Sequence, residues 1–264
     1  MEEEEFDDYD RHDDGPRYLP IEQVKSMELF TSLRRLQFFN SDIFMRQQAF
    51  NLDMVDQFLM QLEQQVLRDL LKKGSTPREA HFLGAQSQMW IFAAFEVLRT
   101  WDQRIRDMKK LVDHSNLQKR IDDLRAAAHE YAHIGNTTLL DQLIELQANP
   151  RLLDTALRQQ RSIHIAYFRL DFIRIAMAKH EVKGVNNSKA MYPGYGRINM
   201  YCGSLDYELE NGKYSTGTIN RRDIADSLRY LDLDAEPPTQ EQLKEFEKFM
   251  TGKGFDLPKL HSPG

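Results

Sequence analysis

The sequence predicts a mainly α-helical protein, an up-and-down helical bundle with a small β-hairpin or meander and a helix on its C-terminal side. Apolar residues recur at helical spacing from Ile21 to about Gly184. After Gly184 the spacing becomes that of strands, and Asn211-Gly212 is a strong hairpin-turn signal. On this basis we divide the chain into an acidic disordered tail (1–19), a helical bundle (20–183), a small β-meander with a helix (184–235), and a C-terminal helix with a tail (236–264).

The charge of the chain is concentrated at its N-terminus. Of 35 basic and 41 acidic residues, one basic and nine acidic residues lie in 1–16, which leaves 34 basic and 32 acidic residues in the remainder. A near-neutral body gives no general case for nucleic-acid binding, so contact with RNA would need a local patch. Cys202 is the only cysteine, which excludes a disulfide framework and a CxxC metal site. Because no signal-like or membrane-spanning apolar run is present, we expect a cytoplasmic protein without membrane contact.

Capping residues place the ends of the first helices. Apolar residues from Ile21 to Phe38 follow helical spacing, and Asn40-Ser41 offers the N-cap of a second helix. Lys72-Lys73-Gly74 ends that helix, since basic residues in the last turn and a following glycine are common there. Ser75-Thr76-Pro77 opens a third helix, which runs to about Val112. We interpret its aromatic stripe as core.

The next segments lead to one long helix. Ser115 caps a helix from Leu117 to Ile134, and Gly135-Asn136 is expected to end it. A short helical piece covers residues 139–146. Residues 150–184 then form a single predicted helix, which would be about 45 Å long at ~1.5 Å per residue.

Strands and two capped helices are expected after the long helix. Alternating residues predict three strands, at 198–201, 205–209 and 214–219. Asn220 caps a helix that runs to Leu231, with Asp223 placed to complete a capping box. The last helix runs from Thr239 to Met250.

The end of the long helix carries the first candidate site, Arg174 and His180 in an Arg-x5-His spacing. A histidine with a pKa near neutrality can take the proton of an RNA 2′-hydroxyl or give one to the leaving oxygen. An arginine can hold the scissile phosphate by bidentate hydrogen bonds. Lys179 and Lys183 add positive charge, and Glu181 is available to orient the imidazole. An ordinary basic helix C-terminus, which complements the helix dipole, explains the same charges.

This arrangement resembles the HEPN superfamily, whose all-helical domains carry an Arg-x4-6-His motif near the end of a long helix. The resemblance covers about 21–183 and matches Arg174 and His180. It implies a metal-independent endoribonuclease without a cofactor, a toxin or antiviral defence effector that acts on RNA rather than DNA as a homodimer. Ile175 stands where the family often has a polar residue. Because inactive members exist, a non-catalytic RNA- or protein-binding module of the same fold is the alternative.

The spacing of the pair sets a geometric condition. Six residues of a regular helix turn through about 600°, so the side chains of Arg174 and His180 would point about 120° apart. They can converge only if the helix unwinds near Lys179 or if a second chain supplies one of them.

The segment His129-Glu-Tyr-Ala-His133 is a second candidate, because it matches the HExxH pattern. The two histidines share a helix face and can bind zinc, with Glu130 as general base. Glu145 is the candidate third ligand. No strand is predicted before this helix, although zincin helices normally pack beneath a sheet. A zinc hydrolase is therefore a further alternative, and the leading hypothesis involves no metal.

Tyr195 and Arg197, in a turn-rich stretch, are candidate RNA contacts because they can stack on bases and clamp the backbone. Turn residues beside a half-buried strand explain the same pattern. Arg158, Arg161 and Arg169 lie loosely on one side of the long helix and would extend a positive stripe. A solvated helix face explains that stripe equally well.

Overall fold

A computed structural model describes residues 18–130, 134–178, 189–190 and 196–253, without the side chains of 129, 130, 189 and 190. The architecture confirms the predicted fold class, a mainly α protein with a small antiparallel sheet and a helix near its C-terminal side. Most of the predicted acidic tail lies outside the described residues.

The segment from Ile21 to Phe38 is not one helix, and that prediction was wrong. It forms a 3-10 turn at Ile21–Gln23, a short helix α1 at Glu28–Leu33, and turns up to residue 41. Met27 and Phe38 both adopt φ 64°, a left-handed conformation that interrupts a helix. Leu29, Leu33, Leu36 and Phe38 are nevertheless buried, so tertiary packing uses them without the continuous helix that the spacing predicts.

Helices α2 (Ile43–Lys73) and α3 (Glu79–Asp113) form a helical hairpin. Gly74 ends α2 in the left-handed conformation, as predicted. The N-cap is Asp42 rather than Asn40-Ser41, because the Asp42 carboxylate accepts hydrogen bonds from the backbone N–H groups of Phe44 (2.9 Å) and Met45 (3.0 Å).

Helices α4 (Leu117–Glu130) and α5 (Ile134–Ala148) follow. The predicted stop at Gly135-Asn136 was wrong, since both residues lie in the first turn of α5. A glycine costs only about 1 kcal/mol in a helix. Burial of Leu143 and Leu146 on the same helix offsets a penalty of that size.

The long helix α6 spans Arg151–Ala178, which corresponds to about 42 Å. It packs along α3 and buries one apolar face. The last residues of the predicted helix, 179–184, lie outside the described residues. The part of α6 that carries Arg174 is therefore a regular helix fixed against the core.

The sheet is organised around its longest strand, β3 (Leu205–Glu210). Antiparallel pairing joins β3 to β1 (Lys189–Ala190), β2 (Arg197–Ile198) and β4 (Ser215–Ile219). The predicted hairpin of β3 and β4 is confirmed, with Gly212 at φ 82° in its turn.

The predicted strand at 198–201 is shorter than expected. The chain turns at Asn199, whose side-chain oxygen accepts hydrogen bonds from the backbone N–H groups of Tyr201 (2.9 Å) and Cys202 (3.1 Å). A residue that hydrogen-bonds its own backbone two positions on favours a turn over a strand.

Two capped helices complete the fold. Helix α7 (Arg221–Arg229) begins at Asn220 with a capping box to Asp223, as predicted, and α8 (Gln240–Thr251) has a capping box at Thr239. Helix α7 packs on α1 and α6, and α8 packs on α6. The C-terminal helices therefore lie directly against the helix that carries Arg174.

The aromatic stripe of α3 is core, as interpreted from the sequence. Trp90 and Trp101 are 2% and 0% exposed and belong to one continuous apolar cluster with the sheet and α7. Phe82 and Met89 are exceptions, because both are exposed near the start of the helix. Within the described part of the chain, no helix combines the length and apolarity needed to cross a membrane.

Candidate functional site

Arg174 lies one turn before the described end of α6 and is held by a carboxylate on its own helix. Its Nε and Nη2 atoms donate hydrogen bonds to Oδ1 of Asp171, at 3.1 and 2.7 Å. Asp171 precedes Arg174 by three residues, so helical geometry brings the two side chains together. The ion pair fixes the Nε edge of the guanidinium. Within the described residues, Nη1 has no hydrogen-bond partner.

An aromatic ring on α3 fixes the plane of the same guanidinium. The Cζ atom of Arg174 lies 4.0 Å from the ring centroid of Phe95. That ring stacks on Tyr167 of α6, with centroids 5.5 Å apart and an interplanar angle of 5°. Burial raises the pKa of Tyr167 to about 12, with Asp102 and Asp171 contributing. The Arg174 side chain remains 31% exposed. It is therefore oriented from two directions and still accessible to a ligand.

The other members of the first candidate site lie outside the described residues. These are His180 with the supporting residues Lys179, Glu181 and Lys183, and also the possible RNA contact Tyr195. The described structure thus brings together Arg174, Asp171 and Phe95, and neither Asp171 nor Phe95 was a predicted site residue. The spacing of Asp171 and Arg174 was the available signal for the ion pair.

Arg197 stands on the short strand β2 with its side chain 78% exposed. Its nearest ionic partner is Glu208, at 4.0 Å, which is a weak surface contact. An exposed arginine with so weak a partner has its donors available for an anion.

Arg158 does not contribute to a positive stripe along α6. Its guanidinium donates hydrogen bonds to the backbone carbonyls of Leu233 (3.5 Å), Asp234 (3.1 Å) and Ala235 (2.9 Å). It therefore ties the turn after α7 to the long helix.

The HExxH segment is described only in part. Helix α4 extends through His129 and Glu130, but their side chains and the whole of His133 lie outside the described residues. Glu145 is exposed on α5. Among the side chains that the structure describes, no cluster of three or more histidine, cysteine or acidic residues could hold a metal ion.

A groove between α3, α6 and α8 leads toward Arg174. One part has a volume of about 450 Å³, and a second part of about 300 Å³ continues along α6 and α8 to Ile175. Phe168, Asp171, Lys244 and Glu247 line both parts. The groove therefore ends beside the residue that follows Arg174.

Each carboxylate that lines this groove already has a partner. Asp102 pairs with Arg106 at 2.6 Å, and Asp171 pairs with Arg174. The third pair joins Glu247 of α8 to His164 of α6 at 2.7 Å. Arg106 and Arg174 therefore offset two of the three negative charges of the groove wall.

Three lysines line the groove without an ionic partner among the described residues. Lys244 and Lys248 lie one turn apart on α8, and Lys253 follows shortly after the helix. All three side chains are exposed. The sequence analysis missed them, although the four-residue spacing of Lys244 and Lys248 on a predicted amphipathic helix was a usable signal.

A buried ion-pair network joins α7 to α2. Arg221 is fully buried and donates to both carboxylate oxygens of Glu63, at 2.8 Å each from Nη2, and also to Asp56. Asp56 pairs in addition with Arg229. Burial raises the pKa of Glu63 against the opposing effect of Arg221. Although burial alone disfavours the charge on Arg221, Glu63 and Asp56 raise its pKa, so the guanidinium stays charged.

A close backbone contact packs the chain just before β3 against α2, beside this network. Gly203 has φ 79°, and a Cβ atom there would lie 2.1 Å from the Glu63 carbonyl oxygen. Only glycine fits both the conformation and the space. No local sequence pattern indicates this contact with α2.

Comparison with known proteins gives no family assignment: no family model matches the sequence, and no curated protein or solved structure matches it significantly. The functional argument therefore rests on the residues of this chain.

Proposed function

We propose that this protein is a HEPN-like metal-independent endoribonuclease that works as a homodimer. In this proposal Arg174 binds the scissile phosphate and His180 is the general acid and base. The observation that carries the proposal is the orientation of Arg174 at the C-terminal end of α6. Asp171 occupies its Nε edge and Phe95 supports its plane, at 4.0 Å, while Nη1 is unpartnered within the described residues. A guanidinium held in this way offers its remaining donors to an anion.

The proposed reaction breaks one P–O bond and forms another. His180 takes the proton of the 2′-hydroxyl as that oxygen attacks the adjacent phosphorus. The 5′-oxygen leaves and takes a proton from the His180 imidazolium, which gives a 2′,3′-cyclic phosphate and a 5′-hydroxyl and restores the neutral imidazole. Arg174 hydrogen-bonds the non-bridging oxygens, where negative charge increases in the transition state. Lys179 and Lys183 add positive potential near the phosphate, and Glu181 orients the imidazole.

The spacing of the two residues is one ground for proposing a dimer. On a regular helix their side chains point about 120° apart. The site therefore needs either a change of backbone direction after Ala178 or a second copy of the chain. In the second arrangement, Arg174 of one copy meets His180 of the other copy at an isologous interface.

A non-catalytic binding module is the second candidate function, and one observation favours it. Arg174 already has a carboxylate partner, Asp171, at 2.7 Å. A phosphate must share the guanidinium with this carboxylate, which lowers the net charge offered to a transition state. Ile175, which lines the groove, also departs from the polar residue often found in the family motif.

The test is cleavage of single-stranded RNA in excess chelator by the full chain. We expect the wild-type protein to cleave and His180→Ala to lose about 10²- to 10⁴-fold in rate, the usual contribution of a general acid–base residue. His114→Ala is the matched control, because His114 is exposed, follows the end of α3, and is distant in sequence from Arg174 and His180. Unchanged cleavage by His180→Ala would overturn the assignment. RNA binding without turnover by the wild type would favour the binding module.

A further inference from the structure

We propose that the groove between α6 and α8 is the binding track for single-stranded RNA. In this arrangement the phosphates of the RNA contact Lys244, Lys248 and Lys253, and the bases of the RNA stack on the aromatic side chains of α6. The choice of RNA rests on the proposed function. The choice of a single-stranded nucleic acid rests on the groove itself.

The dimensions of the groove fit several nucleotides. Its α6 wall extends from Gln160 to Ile175, which is about 22 Å at ~1.5 Å per residue. At about 3.4 Å per stacked nucleotide, this length corresponds to roughly six nucleotides. A strand lying there would end beside Arg174.

The charge of the groove selects a polyanion. Two of its carboxylates are neutralised, Asp102 by Arg106 and Asp171 by Arg174, while Glu247 is hydrogen-bonded to His164. The lysines on the α8 side are unpaired within the described residues. Glu241 and Glu245 also belong to α8 but do not line the groove. Helix α8 therefore turns its unpaired cations, and not its unpaired carboxylates, toward α6.

The aromatic residues distinguish nucleic acid from an acidic peptide. Phe168 lines both parts of the groove and is fixed edge-on by Phe246 of α8, with ring centroids 5.7 Å apart. Tyr167 precedes it on the wall and is also partly exposed, whereas Phe172 is 4% exposed and belongs to the core beneath. Every base has a face that can stack on such rings, and this contributes about 1–3 kcal/mol per base. An acidic peptide would use only the lysines.

The hydrogen bond between His164 and Glu247, at 2.7 Å, bridges α6 and α8 across the groove. It holds α8 against α6 and so keeps the lysines at a fixed distance from the aromatic wall. The groove and the Arg174 ion pair share one residue, Asp171.

The test measures binding of a fluorescent 2′-O-methyl oligouridine by anisotropy, with the full chain. This probe lacks the 2′-hydroxyl nucleophile, so binding is measured without turnover. We compare the triple variant Lys244→Gln/Lys248→Gln/Lys253→Gln with a control of equal charge change, Lys25→Gln/Lys72→Gln/Lys119→Gln. All six lysines are exposed, so both variants should fold, which circular dichroism checks.

We expect the triple variant at Lys244, Lys248 and Lys253 to bind the probe at least about 10-fold more weakly than the wild type. The slope of log K against log salt should also become shallower by roughly 2, because each phosphate contact on a single strand contributes about 0.7 to that slope. The control should stay within about 2-fold of wild type. Equal loss in both variants, or no binding by the wild type, would overturn the inference. So would displacement of the probe by polyglutamate as effectively as by unlabelled oligouridine.

The same proteins separate this inference from the proposed function. Groove-dependent binding without cleavage of ordinary RNA would support the track and reject the nuclease. Cleavage that both triple variants retain, with unchanged binding, would support the nuclease and reject the track.

Discussion

The guanidinium of Arg174 lies over the ring of Phe95, with 4.0 Å between Cζ and the ring centroid. The two residues come from different helices, α6 and α3, so the core of the bundle fixes the direction of the arginine. Asp171 fixes its rotation by two hydrogen bonds. An arginine ordered in this way would lose little conformational entropy on binding a phosphate, as the proposed function requires.

Replacing Arg174 by lysine should lower RNA cleavage by about 10²-fold or more, because lysine keeps the charge but lacks the planar fork that holds two phosphate oxygens. The measurement is the single-turnover rate in chelator. Arg99→Lys is the matched control, since Arg99 also pairs with a carboxylate three residues before it, Glu96 at 2.6 Å, at an exposed site. Equal effects of the two substitutions would show that Arg174 has no special role.

Local signals in the sequence were sufficient for many features of the fold. Gly74 as a helix stop, the capping box of Asn220 and Asp223, and the Asn211-Gly212 turn each depend on residues within a few positions, and all are present. The wrong helix prediction has a different cause. Whether residues 21–38 form a helix is decided by packing against distant elements, which periodicity does not report.

Unlike the Asp171–Arg174 pair, other contacts in and around the candidate site join residues that are distant in sequence. Arg221 and Asp56 are 165 positions apart. Phe95 and Arg174 belong to helices whose pairing no local pattern specifies. The sequence could therefore place Arg174 on a helix near its end, but not predict the ring beneath it or the groove beside it.

Mixing two inactive proteins tests the proposed homodimer. If each site takes Arg174 from one copy and His180 from the other, Arg174→Ala and His180→Ala subunits form one intact site in each mixed dimer. An equal mixture with free exchange should then regain about a quarter of the wild-type rate, because half of the dimers are mixed and each has one of two sites. No recovery, with exchange shown by mass spectrometry, would place both residues of a site on one chain.

Replacing Arg221 by leucine should destabilise the fold by about 3–5 kcal/mol, because it leaves Glu63 and Asp56 with uncompensated buried charge. Urea unfolding measures the change in the free energy of unfolding. Arg99→Leu, at an exposed ion pair, should change it by less than about 1 kcal/mol. A similar small effect at Arg221 would mean that the buried network contributes little.

Ionisation of the Tyr167 phenol should lower the free energy of unfolding as the pH rises from 10 to 12. Burial raises the pKa of this phenol from 10.0 to about 12, so between these values the folded state binds more protons than the unfolded state. The free energy of unfolding then falls with increasing pH, and below pH 10 the effect is absent.

Tyr167→Phe removes this titration, so the decline of stability between pH 10 and 12 should become shallower than in the wild type. Tyr201→Phe is the control, because Tyr201 is 59% exposed. Denaturant unfolding at several pH values gives the comparison. Identical slopes for wild type and Tyr167→Phe would contradict the burial of this hydroxyl beside Phe95.

The central claim is that Arg174 and His180 cleave RNA through its 2′-hydroxyl without a metal. The most direct measurement uses a DNA oligonucleotide with one internal ribonucleotide, in excess chelator. The account predicts a single cut after the ribonucleotide, a 2′,3′-cyclic phosphate end, and a loss of about 10²-fold or more in His180→Ala. Cleavage at deoxynucleotides, or an undiminished rate in His180→Ala, would contradict it.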